Sequence, residues 1–187
     1  MARKKQYTED EVIEKAMHLF WRNGYETTST RMLEKEMGIN QFSIYASFGS
    51  KQGVFVESLR CYQAKLNLIV NKLKATENGV EGIKQYFYDF IEFSKENEQA
   101  RGCLLANTAT ELGAHADSLI IDEIRNFTNG LRNLFHEKLS VDGSKSEEKL
   151  SRQANFLMVA MTGLALTSKV YEKQYLEDFI ESTFESV

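Results

Sequence analysis

Residues 37–51 read MGINQFSIYASFGSK, and this stretch decides the fold. It places Gly38 between two short amphipathic segments, with Asn40 positioned to accept a hydrogen bond from the first turn of the second segment. Ile44 and Phe48 lie four residues apart and therefore share one face of a helix. Two short helices joined by a glycine-containing turn make a helix-turn-helix pattern.

The flanking segments also predict helices, and the absence of proline supports this along the whole chain. Thr8 and Glu11 form a capping-box pattern that opens a first helix, and Thr28 is predicted to cap a second one. The chain contains no proline, the residue that breaks helix interiors. We therefore predict an all-α fold, whose helices beyond the helix-turn-helix cover residues 51–76, 80–98, 103–112, 117–139, 147–171 and 173–186.

Composition restricts the class of protein. The chain has 187 residues, of which 42% are hydrophobic and 27% are charged, and these are globular values. Two cysteines, Cys61 and Cys103, argue against a disulfide-stabilised secreted fold. The longest mostly apolar run, residues 156–166, is well short of a membrane helix. We therefore expect a cytoplasmic protein without a membrane span.

The distribution of charge allows a nucleic-acid surface despite the formal net charge of −4. Residues 1–60 carry a net charge of +1, and the remainder carries −5. From residue 39 to residue 60 the charged residues are Lys51, Glu57 and Arg60. Because attraction to phosphate depends on where charges lie, this stretch can form a locally non-acidic face. Ordinary variation of surface charge explains the same counts.

The second helix of the pattern, which begins at Gln41, carries side chains suited to DNA. In helix-turn-helix proteins this helix lies in the major groove and its first residues meet base edges. Gln bonds adenine, Ser bonds several bases, and Phe packs on the thymine methyl group, while hydroxyls and cations at helix N-termini bind phosphate. Packing explains the aromatic residues as well on periodicity alone, and a solvated surface explains the lysine. The predicted base contacts are Gln41, Phe42 and Ser43, and the predicted phosphate contacts are Thr28, Tyr45 and Lys51.

The order of residues closely resembles the N-terminal DNA-binding domain of the TetR family of transcriptional repressors. That family has a glycine before the recognition helix, a small residue followed by an aliphatic residue and tyrosine within it, and Phe-x-Ser-Lys after it. Gly38, residues 43–45 and residues 48–51 occupy those places. The resemblance covers about residues 8–60 and is specific in its motifs.

The resemblance implies an all-helical homodimer of about nine helices per chain, with double-stranded operator DNA and a small-molecule inducer as partners and no cofactor. From the lengths and composition of the predicted helices, we place the domain boundary inside the long fourth helix, between a DNA-binding head over residues 1–52 and an effector-binding and dimerisation body over residues 53–187. Two residues depart from the pattern. Phe42 stands where a small residue is usual, and Glu34 stands where alanine packs against the third helix. We expect Glu34 to extend toward solvent or to open the turn slightly.

Two groups of residues in the body are candidates for sensing the inducer. Cys103 follows Arg101 at the start of a predicted helix, where the helix end and the arginine lower the thiol pKa and favour the reactive thiolate. Some members of the family that this chain resembles sense electrophiles with a cysteine there, although a buried, inert cysteine explains the same residue. Aromatic residues at helical spacing predict an apolar ligand pocket, although plain core also explains them: Tyr62, Tyr86, Phe87, Phe90, Phe127 and Phe156.

The last two helices are predicted to form the dimer interface, as a four-helix arrangement of two hairpins, through an apolar stripe on the first of them. The stripe repeats every three or four residues, and its small members let two helices approach closely. Packing of the same stripe against its own chain is the alternative. Its members are Leu150, Ala154, Leu157, Met158, Met161, Leu164 and Ala165.

An enzyme finds little support in the sequence. The three histidines are scattered, and the chain has no His-x-x-x-His pair, no Cys-x-x-Cys pair and no glycine-rich phosphate loop. His115 near Asp117 is explained more simply as part of a polar turn. We therefore predict no catalytic and no metal-binding residues. The remaining alternative is a helical ligand-binding or adaptor protein without sequence-specific DNA binding, which would not need Tyr45 and Lys51 in these positions.

Overall fold

The computed structural model describes residues 7–95, 102–113 and 117–187, which form helices joined by turns, without a strand. The predicted all-α fold is confirmed, and so is the number of helices that the resemblance implied. The nine helices of the described residues are α1 (Glu9–Asn23), α2 (Thr30–Met37), α3 (Gln41–Phe48), α4 (Lys51–Ala75), α5 (Gly79–Lys95), α6 (Leu104–Leu112), α7 (Ser118–Leu139), α8 (Glu147–Thr167) and α9 (Lys173–Glu185).

Side-chain caps determine where several of these helices begin. Thr8, Ser29, Asn40 and Ser146 each accept a hydrogen bond from the backbone N–H three residues later. Such caps satisfy N–H groups that have no acceptor within the helix. Gly38 ends α2 in the left-handed conformation, with φ +72°, which glycine adopts without steric cost.

The chain groups into two compact units. The first comprises the residues up to Lys65 together with Asn107–Glu123, and the second comprises Leu66–Ala106 and Ile124–Val187. Helices α4, α6 and α7 contribute residues to both units. The first unit extends beyond residue 52 because the first half of α4 packs on α1. The predicted domain boundary after residue 52 therefore differs from this grouping and stays a prediction.

Aromatic contacts hold the core of the first unit. Phe20 of α1 meets Phe55 of α4 edge-on, with ring centroids 4.7 Å apart, and Trp21 meets Tyr62 in the same way at 5.0 Å. Such pairs contribute about 0.5–1.5 kcal/mol beyond the burial of their area. The short helices α2 and α3 are anchored to this core by the buried side chains of Leu33, Met37 and Ile44.

The core of the second unit is also aromatic. Phe135 of α7 lies 5.7 Å from Tyr86 and 6.1 Å from Phe87, both on α5, measured between ring centroids. Phe87 also meets Phe184 of α9 edge-on at 5.1 Å. Helix α5 therefore occupies the centre of this unit, between α7 and α9.

Helix α8 is shorter than predicted. It ends at Thr167 and not at Tyr171, and the residues that follow form a turn in which the N–H groups of Val170 and Tyr171 both donate to the Thr167 carbonyl oxygen. The predicted end of the fifth helix near Glu98 lies outside the described residues.

Candidate nucleic-acid interface

Helix α3 presents its first residues to solvent. Ile44 is fully buried and fixes the helix on the core of the first unit, whereas Gln41, Phe42 and Tyr45 are exposed. Ser43 is half-buried. The three exposed side chains are among those that the sequence predicts to meet DNA.

The Phe42 side chain is 82% exposed, compared with 39% for Tyr45. A single exposed apolar side chain is ordinary on a protein surface. Phe42 differs because it stands in the first turn of an exposed helix, directly after Gln41. An amide beside a phenyl ring matches adenine beside a thymine methyl group in the major groove.

Two polar contacts join α2 to α3 beside these residues. The Tyr45 hydroxyl lies 3.3 Å from the Thr30 hydroxyl, and the Glu34 carboxylate accepts a hydrogen bond from the backbone N–H of Gln41 at 2.5 Å. The hydrogen bond with Thr30, and then the one with Gln41, lower the pKa of the Tyr45 phenol, while the charge of Glu34 opposes them. The departure from the family pattern at Glu34 is thus resolved by a bond that supports the start of α3.

The predicted phosphate contact of Thr28 is wrong. The Thr28 side chain is fully buried, and its hydroxyl donates to the Gly24 carbonyl oxygen at 2.6 Å. Ser29 caps α2 instead, so that Thr30 is its first residue. The contact of Thr30 with Tyr45 was not predictable from the sequence. Four hydroxyl residues follow one another over residues 27–30, and a capping pattern alone does not show which of them caps the helix.

Lys51 begins α4, at a helix N-terminus as the sequence predicts. Its ammonium group lies 4.4 Å from the centre of the Tyr25 ring and 3.4 Å from the Glu26 carbonyl oxygen. Arg60, in contrast, forms ion pairs with two carboxylates, one of them Glu123. No carboxylate of the described residues pairs with Lys51, and its charge is therefore available to an anion such as phosphate.

The turn between α1 and α2 is held by a carboxylate of α6. Glu111 accepts hydrogen bonds from the backbone N–H groups of Tyr25 at 2.9 Å and Glu26 at 2.8 Å, one on each oxygen. Gly24 has φ +83°, and a Cβ atom there would lie 2.7 Å from the carboxylate. This backbone conformation, with ψ 170°, is essentially restricted to glycine, and a side chain there would also displace the carboxylate. Since the same turn supplies the ring and the carbonyl that contact Lys51, Glu111 supports the position of the Lys51 ammonium.

The residues predicted to line an apolar pocket have different surroundings. Tyr62 packs against Trp21 in the first unit. Phe127 is half-buried, whereas Phe156 is 47% exposed on α8, which excludes it from an enclosed pocket of this chain. The other three are buried on α5: Tyr86, Phe87 and Phe90.

A cavity of about 340 Å³ lies beside α5 in the second unit, and Tyr86 lines it. Burial raises the pKa of the Tyr86 phenol well above its usual range, and the charge of Cys103 adds to this effect. Much of the remaining lining is polar, and it includes Lys72 and Asp89, which pair at 3.2 Å. This cavity therefore suits a polar ligand better than the apolar one that the sequence predicts.

The two cysteines differ in their surroundings. Cys103 directly precedes α6, as the sequence predicts, and is buried, while Arg101 lies outside the described residues. Cys61 lies within α4, where burial raises the pKa of its thiol and the charge of Lys65 opposes that effect. Cys61 also lines an open groove of about 950 Å³ in the first unit. Electrophile sensing at Cys103 stays a prediction.

The stripe predicted to form the dimer interface is a core stripe, and the prediction is corrected here. Met158 is half-buried. The other six members pack against their own chain and are buried: Leu150, Ala154, Leu157, Met161, Leu164 and Ala165. Helices α8 and α9 expose other apolar side chains, which we call the α8–α9 stripe: Phe156, Val159, Tyr175 and Phe179.

Two kinds of feature are missing from the described residues. None of their helices has the length and apolar character needed to cross a membrane. Nor do they contain a group of three or more His, Cys, Asp or Glu side chains able to hold a metal ion. His115, which the sequence places near Asp117, lies outside the described residues.

Known proteins resemble both the head and the longer chain. Residues 12–57 match the family described as bacterial regulatory proteins, tetR family. The chain is 28% identical over 120 residues to the HTH-type transcriptional regulator YezE of Bacillus subtilis (strain 168), and 31% identical over 112 residues to the HTH-type transcriptional repressor ComR of Escherichia coli (strain K12). These alignments cover 64% and 59% of this chain, but only 62% and 53% of the two relatives.

A solved structure resembles nearly the whole chain. It is a cysteine mutant of the TetR family transcriptional regulator CifR, complexed with 26bp double-strand operator DNA. The TM-score is 0.84 at 25% identity, and the alignment covers 98% of this chain and 99% of that chain. The likeness therefore extends from the matched head into the helices that follow it.

Proposed function

Because the chain belongs to the TetR family of bacterial regulatory proteins, we propose that it is a DNA-binding transcriptional repressor. A homodimer binds a palindromic operator, and a small-molecule or electrophile inducer releases it. One observation carries the proposal: Ile44 anchors α3 to the core while Gln41, Phe42 and Tyr45 stay in solvent at the end of the helix that enters a groove.

The exposed groups divide into base contacts and phosphate contacts. Gln41 bonds adenine through its amide, and Phe42 packs on a thymine methyl group. Tyr45 donates its hydroxyl to a phosphate, and Lys51 binds a second phosphate together with the N-terminus of α4. Phosphate contacts position the protein, whereas base contacts select the sequence.

The α8–α9 stripe supplies the dimer contact. One short recognition helix meets too few base pairs for useful specificity, and two-fold symmetry doubles that number. A Cβ atom added at Gly163 on α8 would meet nothing within 4 Å, so this side of the helix is open to close approach. A face of this kind is covered when the same face of a second copy packs against it.

Release by an inducer is proposed to act through α6. This helix begins after Cys103 and carries Glu111 near its other end. A ligand or a modification that displaces α6 would withdraw the Glu111 carboxylate from the N–H groups of Tyr25 and Glu26. The support of the Lys51 ammonium would be lost, and the affinity for DNA would fall without any change at the bases.

Selection of bound sequences from a pool of random duplexes tests the proposal. We expect enrichment of an inverted repeat whose half-site centres lie about one helical turn apart, or a multiple of it. Phe42→Ala should fold normally, because the ring is exposed, and should lose the preference for thymine at one pair in each half-site. Failure to enrich any duplex would contradict the proposal and favour a helical adaptor or ligand-binding protein.

A further inference from the structure

Glu34 places a carboxylate inside the proposed DNA-binding surface. It lies four residues after Thr30 on α2, on the side that meets α3. One oxygen, Oε1, accepts from the backbone N–H of Gln41, the first residue of α3. The described residues make no other hydrogen bond to the Glu34 carboxylate, and this side chain is half-exposed.

The neighbours of Glu34 are the residues that meet DNA in the proposed function. Gln41 is bonded to it directly, and Tyr45 lies close enough for the charge of Glu34 to raise the pKa of its phenol against the stronger effect of two hydrogen bonds. The Tyr45 hydroxyl also lies 3.3 Å from Thr30, one turn before Glu34 on the same helix. The carboxylate therefore lies beside Gln41 and Tyr45, two side chains that contact DNA in the proposed function.

A carboxylate in this position cannot increase affinity by attraction to the duplex. Its negative charge is repelled by phosphates, and the repulsion applies to every base sequence. It also cancels part of the positive end of α3, which would otherwise favour an anion. The hydrogen bond to Gln41 fixes the start of α3, and the free carboxylate oxygen leaves room for a second role at the bases.

The major groove limits that choice. An ionised carboxylate only accepts hydrogen bonds. The base edges offer it a donor at the amino group of cytosine or of adenine, whereas guanine and the carbonyl oxygen of thymine present acceptors. An acceptor facing an acceptor is repelled, so the carboxylate both favours amino-bearing bases and rejects the others.

We propose that Glu34 is a specificity-determining residue of the DNA-binding surface, which selects a base with a major-groove amino group, cytosine above all, at the pair next to the one that Gln41 contacts. This inference rests on the proposed function. According to it, Glu34 lowers the affinity of the protein for every duplex and raises the discrimination among bases at one position of each half-site.

Glu34→Gln is the variant that isolates this role. The amide has the same shape and keeps an acceptor oxygen for the Gln41 N–H, but it removes the charge and adds a donor. Glu36→Gln is the matched control, because it removes the same charge from the same helix at a residue that pairs with Arg22 at 2.7 Å. Glu34→Thr, which is also uncharged, replaces the amide variant if that variant fails to fold. Thermal unfolding measures whether all three variants are folded.

The experiment measures the affinity of each variant for the selected duplex and for duplexes changed one pair at a time. We expect Glu34→Gln to bind all duplexes several-fold more tightly and to lose about tenfold discrimination at one pair per half-site, in favour of guanine or thymine. Glu36→Gln should leave the base preference unchanged.

The outcomes separate this inference from the proposed function. If the wild type prefers a sequence and Glu34→Gln keeps the same preference at every pair, the role of Glu34 is refuted and the proposed function stands. If the wild type prefers no sequence, the proposed function itself fails, and the inference fails with it.

Discussion

Two surfaces of this molecule expose apolar side chains, and the groups around those side chains differ. On α3, the exposed ring of Phe42 stands among polar side chains, namely Gln41, Tyr45 and the carboxylate of Glu34. On α8 and α9, two helices that contact each other, four apolar side chains are exposed. An apolar group among hydrogen-bonding groups fits the edge of a base pair, whereas several exposed apolar side chains on one pair of helices fit a second copy of the same face. Exposure alone does not identify a partner, but the neighbouring groups do.

The largest expected effect comes from breaking the α8–α9 stripe. Val159→Glu should give monomers in sedimentation equilibrium and lower operator affinity by about 100-fold or more, because an unpaired charge in an interface is strongly destabilising and a monomer meets one half-site. Leu68→Glu puts the same charge on another exposed apolar residue, on α4, and should remain dimeric. A dimeric Val159→Glu protein would place the interface elsewhere.

The turn that supports Lys51 is sensitive to a single methyl group. Gly24→Ala should lower the free energy of unfolding by about 2–3 kcal/mol, because φ +83° with ψ 170° is essentially restricted to glycine, whereas Gly38 is in the ordinary left-handed region, and because the new Cβ meets the Glu111 carboxylate. Gly38→Ala has a similar φ of +72° but open space around it, so about 1 kcal/mol is expected. Urea unfolding of the free protein measures both. Equal losses would contradict the additional cost expected at Gly24 from its backbone conformation and from the Glu111 carboxylate.

The α3 surface was predictable from the sequence because its signals are local. Asn40 caps α3, Gly38 ends α2, and the side chains that point outward follow from Ile44 pointing inward. The contact of Glu111 with the α1–α2 turn was not predictable, since it joins residues more than 80 positions apart. The predicted phosphate contact of Thr28 was wrong for a different reason. A shift of one residue in the position of the cap exchanges a buried hydroxyl for an exposed one.

The phosphate contact on the α3 side can be tested through its salt dependence. Lys51→Ala should weaken binding to all duplexes by about three- to tenfold and reduce the salt slope by about one, because one phosphate contact is lost. Lys65→Ala removes a lysine of the same helix that pairs with Glu14, and it should leave the slope unchanged. An unchanged slope in Lys51→Ala would mean that Lys51 does not bind phosphate.

The smallest expected effect concerns the thiols. In Cys103→Ser, the rate of Cys61 alkylation by iodoacetamide should rise with pH around a midpoint above that of the same protein unfolded in urea, because burial raises the pKa of the Cys61 thiol and leaves less thiolate at a given pH. The displacement of the midpoint is the quantity to measure. A folded midpoint below the unfolded one would contradict this environment for Cys61.

The body was predicted less well than the head, and the reason is physical. An apolar stripe at helical spacing shows that one side of α8 is buried, but it does not show whether its own chain or a second copy buries it. Leu157 and Met161 turned out to face their own chain. Val159 lies between them in sequence and faces solvent. Aromatic residues carry the same ambiguity, which is why Phe156 was assigned to a pocket and is found on the surface.

Hydrogen–deuterium exchange tests most directly which of the two surfaces meets DNA. Exchange of the wild-type protein is measured in the presence of the selected duplex and in the presence of a scrambled duplex of the same length. We predict that the selected duplex slows exchange in the first turn of α3 and the first turn of α4, and that amides of α8 and α9 exchange equally with both duplexes. Unchanged exchange in α3, or larger changes in α8 and α9, would contradict the account.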